Sequence, residues 1–145
     1  MVITQISAFI ENKPGRLAEV IGFLAQEDIN IHALSIADTT DFGILRLIVS
    51  NPQKTWEILK ERGLTVKLTD VIAVALEHRP GSLARVLGEL ESKDISIEYM
   101  YAFTSRSSSH DAMVIFRLDR QQEALEKIKG CSIELISSEI LSELG

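Results

Sequence analysis

Glu11-Asn12-Lys13-Pro14-Gly15-Arg16-Leu17-Ala18-Glu19-Val20 returns later in the chain as Glu77-His78-Arg79-Pro80-Gly81-Ser82-Leu83-Ala84-Arg85-Val86. The likeness continues through Gly22/Gly88, Leu24/Leu90, Asp28/Asp94, Ile29/Ile95 and Ile31/Ile97. Two copies in register make an internal repeat, which constrains the fold before any single element does. In each copy Pro-Gly follows an apolar stretch. It precedes apolar residues at helical spacing, Leu17, Val20, Ile21 and Leu24 in the first. It therefore reads as the entry to an amphipathic helix. A helix start carries backbone N–H groups without intrahelical partners, where a small anion can sit.

Around that turn the pattern predicts a strand over 3–10 and a helix over 15–27. Strands follow over 29–36 and 44–50, joined by a hairpin loop at 39–43. Pro52 opens a helix over 52–62 that Gly63 ends, and 64–68 reads as a fourth strand. The second copy repeats the order: strand 71–76, helix 81–93, strand 95–103, a serine-rich loop at 104–111 and strand 113–118. A helix over 121–129 and a strand over 132–136 complete it. The tail 137–145 allows a short helix or a strand. This is β-α-β-β-α-β twice, an α+β chain with two ferredoxin-like units at 1–69 and 70–145. Each unit is expected to carry an antiparallel four-stranded sheet, and the two to pair side by side. Gly22 and Gly88, at equal places in their helices, suggest close approach to a neighbouring backbone. Val71–Leu76 is apolar at every position, as strands covered on both faces are. Two helices cover only one face, so a second unit or another chain is expected on the other, an oligomer signal.

Composition narrows the function classes. The chain has 145 residues, a net charge of −6 and a pI near 5.1. Nucleic-acid and anionic-membrane partners need a basic stripe, which this balance argues against. Cys131 is the only cysteine, so no disulfide forms within the chain. No basic region followed by an apolar run stands at Met1-Val2-Ile3-Thr4-Gln5, and the cytoplasm is the expected compartment. Cys131, His32, His78 and His110 lack metal-ligand spacing, and no nucleophile elbow or P-loop is present. No cofactor is expected, and the chain does not read as an enzyme.

The order of elements, the two Pro-Gly motifs, Asp28-Ile29-Asn30-Ile31 and Asp41-Phe42-Gly43-Ile44-Leu45-Arg46-Leu47-Ile48-Val49 together resemble an ACT domain. The second copy resembles another, so the whole chain is similar to a tandem ACT-domain protein. The resemblance implies regulation by a small molecule, first of all an amino acid, bound where ACT units meet. It places ligand contacts on the loop after the first strand and on an Asn opening the second strand. Those positions are Asn12, Gly15 and Asn30 in the first copy, and His78, Gly81 and Ser96 in the second. Serine-sensing members carry a His two residues before the loop Asn, and here that place holds Ile10.

The chemistry of these residues suits an amino-acid zwitterion. Backbone N–H groups of residues 15–17, at the helix start, suit a carboxylate. Gly15 lets a ligand approach the main chain, and Pro14 biases Lys13 towards an extended conformation. Asn12 and Asn30 each offer a donor and an acceptor, and Arg16 a charge-assisted bond. Leu17 and Ile31 flank these groups and complete the candidate set: Asn12, Lys13, Pro14, Gly15, Arg16, Leu17, Asn30, Ile31, His78 and Gly81. Pro-Gly is equally a plain helix entry, and Asn a plain turn residue. The cluster Asp38-Thr39-Thr40-Asp41 lines a ligand cleft or simply a solvated hairpin. The stripe Tyr99, Tyr101, Phe103 forms a packing face. The sequence thus predicts a regulatory amino-acid-binding homo-oligomer, a dimer, that signals through a protein partner. A ligand-free interaction module built from the ACT pair is the alternative.

Overall fold

A computed structural model describes residues 2–38, 41–77, 79–104 and 112–144. The elements run β1 (Ile3–Glu11), α1 (Arg16–Gln26), β2 (Ile31–Asp38), β3 (Phe42–Val49), α2 (Pro52–Glu61) and β4 (Thr65–Leu76). Then come α3 (Ser82–Ser92), β5 (Ile97–Thr104), β6 (Ala112–Leu118), α4 (Gln121–Ile128) and α5 (Ser138–Leu144). Contacts divide the chain into two compact units, Thr4–Asp70 and Val71–Leu144, the latter joined by the residues before Thr4. The expected α+β class and antiparallel pairing are observed, with two departures.

First, the strands expected at 64–68 and 71–76 are one continuous strand, β4. Lys67-Leu68-Thr69-Asp70 contains no glycine or proline to turn the chain, so the backbone stays extended through it. Second, the strand expected at 132–136 shrinks to a single bridge between Leu135 and Val74. Its hold on β4 is the pair of bonds Ala75 N–H to the Glu134 carbonyl at 2.9 Å and Ile136 N–H to the Ala73 carbonyl at 2.8 Å. Among the described residues the second unit therefore has three strands and a bridge where four strands were predicted.

In the first unit the strand order is β2-β3-β1-β4. Ile6, Ala8 and Ile10 of β1 and Leu45, Leu47 and Val49 of β3 meet Val20 and Leu24 of α1 and Leu59 of α2. In the second the order is β4-β6-β5, and Ile72, Val74 and Leu76 join Val114, Phe116 and Leu118 under Val86 and Leu90 of α3. Alternation along each strand sends these residues to the helix side, as the period-two pattern demands.

Val71–Leu76 is buried at every position within the single chain. The strand is covered without another copy, so it gives no sign of an oligomer. A Cβ placed on Gly22 or Gly88 would meet nothing within 4 Å, so neither glycine marks a close backbone approach. The tail takes the helical option, with the Ile140 N–H donating to Ser137 Oγ at 3.3 Å. The serine-rich stretch 105–111 and Thr39-Thr40 lie outside the described residues.

The repeated Pro-Gly is a type II turn. In Lys13-Pro14-Gly15-Arg16 the Arg16 N–H donates to the Lys13 carbonyl at 3.3 Å, and Gly15 takes φ 85° and ψ −15°. Arg79-Pro80-Gly81-Ser82 repeats this, with the Ser82 N–H on the Arg79 carbonyl at 3.3 Å and Gly81 at φ 91° and ψ −17°. Such a turn wants proline at its second place and requires positive φ at its third, which selects glycine.

Candidate functional site

The first turn is anchored at both ends. The Asn12 N–H donates to the Asp41 carbonyl at 3.0 Å, fastening the loop to the start of β3. Lys13 and Glu11 form an exposed ion pair at 3.2 Å. Arg16 is folded down: its Nη1 donates to Glu19 Oε1 at 2.7 Å, and its Nε is buried without a partner among the described residues. Leu17 is half-buried against the core, while Asn12, Pro14 and Gly15 are exposed. Because the turn consumes the Arg16 N–H, the three-amide cradle expected over 15–17 is interrupted at its middle.

Asn30 stands at the other end of the unit. Its N–H donates to Ser50 Oγ at 3.0 Å and its carbonyl accepts from the Ser50 N–H at 2.9 Å, just past the end of β3. Ile31 pairs with Val49, whereas Glu11 pairs with Phe42 at the opposite end. At about 3.3 Å per residue, the length of β3 separates Asn12 from Asn30 by roughly 23 Å. The fold therefore brings Asn12 to Leu17 together, and Asn30 with Ile31, but not the two groups in one unit.

Beside Asn30, the register of β2 slips between Ile31 and Ala33, at His32. Both ring nitrogens of His32 are shut from solvent and have no partner among the described residues. Burial holds its imidazolium below the usual value of 6.5. Above about pH 6.5, where the unfolded histidine is neutral, folded and unfolded chains both leave it unprotonated. As pH falls below that, the unfolded chain takes the proton first and stability drops. The loss stops growing once pH passes the lower folded value. Urea denaturation between pH 7 and pH 5 is expected to show this slope, and His32→Leu to flatten it. An unchanged slope in the variant would show that other groups carry it.

Around the second turn two clefts flank Leu76, Glu77, Arg79 and Ser82, each of about 240 Å³. Arg79 Nε meets Glu77 Oε2 at 2.8 Å, an exposed pair on the ridge between them. The polar cleft adds Arg85, Ser132 and Glu134. Arg85 Nη1 donates to Glu89 Oε1 at 3.1 Å and to Ser132 Oγ at 3.2 Å, and Ser132 Oγ donates to Glu89 Oε1 at 2.7 Å. The other cleft is more apolar and adds Leu83, Ala102, Phe103, Ala112 and Val114. Ser96, which takes the place of Asn30 in the second copy, lines a recess of about 10 Å³.

Gly81 sits in the turn between the clefts, and His78 lies outside the described residues. The sequence reading missed Arg79, Arg85 and Ser132. The Arg85/Glu89 spacing of one helical turn was the visible signal for one pair. No group of three or more His, Cys, Asp or Glu among the described residues is arranged to hold a metal ion. No described helix is long and apolar enough to cross a membrane.

The family described as ACT domain pair matches residues 1–145. A crystal structure of a protein from Bacteroides thetaiotaomicron is similar, with 42% identity over 99% of this chain and 98% of that one, at a TM-score of 0.89. The regulatory subunit of aspartate kinase from Thermus thermophilus, in its ligand-free form, shares the fold. It has 18% identity over 88% of this chain and 91% of that one, at a TM-score of 0.62. The corresponding subunit from Thermus flavus is similar at 17% identity, covering 88% and 90% of the two chains, with a TM-score of 0.58. No curated protein matches the chain.

Proposed function

The chain belongs to the ACT domain pair family, and on that premise we propose that it is a non-enzymatic, cytoplasmic regulatory protein that binds a free amino acid. The site joins two copies of the chain: Asn12–Leu17 of one copy and Asn30–Ile31 of the other. The observation that carries this reading is the separation of roughly 23 Å between those groups within one unit. A single small zwitterion cannot reach across it.

A free edge supports the pairing. β2 is the outer strand of its unit, and Leu34 and Ile36 on it are 48% and 44% exposed. Open edges of this kind template pairing with another strand. Antiparallel pairing of two β2 edges sets the start of one beside the end of the other. The end of β2 lies by the Asn12 loop, since Gly43 pairs with both Asp38 and Ile10. The Asn30 amide then faces the partner copy's turn. There the remaining turn amides suit a carboxylate and the Asn side chains an ammonium. Ligand would favour the paired state by its differential affinity, and a protein partner would read the change.

Calorimetry of the full chain against the twenty amino acids tests this. Asn12→Ala and Asn30→Ala are each expected to weaken binding roughly tenfold or more. Mixing the two variants is expected to restore part of it, because a mixed dimer holds one intact site. If no amino acid binds at millimolar concentration while the dimer persists, the second reading holds: the exposed edge serves assembly alone.

A further inference from the structure

We draw no further inference here: the strongest candidate, the exposed patch of Phe9 and Phe42 on the face of β1 and β3 turned away from the helices, carries nothing because the structure does not show what covers it.

Discussion

Phe116→Ala is expected to destabilise the protein by about 3–5 kcal/mol, read as a shift in the urea midpoint at unchanged slope. Phe116 has no exposed surface and sits at the centre of β6. There it pairs with Ile72 on one side and Met100 on the other, in the cluster closed by Val86 and Leu90. Truncation removes the ring's burial and leaves a cavity that three neighbouring elements cannot all move to fill. A loss of that size is a large part of the 5–15 kcal/mol or so that holds a typical domain. Phe9 makes the control: it is 50% exposed, so Phe9→Ala is expected to cost well under half as much. Equal losses from the two would contradict the division of inner and outer strand faces on which the register rests.

That division was legible in the sequence because it follows from period two and period 3.6 alone. Val20 and Leu24, or Val86 and Leu90, are one helical turn apart and are the buried residues of α1 and α3. The turn before each helix was legible for a different reason, since Pro-Gly at adjacent places satisfies both dihedral demands of a type II turn. What failed was punctuation by polarity. Thr69 and Asp70 look like a break between strands, yet no glycine or proline turns the chain there, and β4 runs on through them to pair with β6 from Ile72.

The placement of candidate ligand residues was only half legible. A β-α-β crossover returns the chain to the end from which the first strand began. The loop after β1 and the start of β2 must then lie at opposite ends of the sheet. That rule was available from the order of elements, and it separates Asn12 from Asn30 without coordinates. The clefts beside the second turn were not available in this way. Their walls come from residues far apart in the chain, such as Arg85 and Ser132, which only the packed structure brings together.

The C-terminal segment leads to the second large effect: Leu141→Ala is expected to cost about 2–5 kcal/mol, or less if undocking of the helix is cheaper than the cavity. α5 spans only Ser138–Leu144, too short to persist by its own hydrogen bonds. Its order must come from what it buries, and Leu141 is 2% exposed while Ile140 beside it is 42% exposed. The sequence left helix and strand open here because Ile140, Leu141 and Leu144 satisfy either period. Burial of one neighbour and exposure of the other picks a single face. Ile136, 2% exposed, is a second anchor just before the helix, and its N–H holds the Ala73 carbonyl. Losing Leu141 is thus expected to free 138–144 while 134–136 stays on β4. Hydrogen exchange separates the cases: Leu141→Ala should speed exchange across 138–144 and leave Ile136 protected. Ile140→Ala should do neither. If Ile140→Ala matched Leu141→Ala in both stability and exchange, the docked face of α5 would have to be the other one.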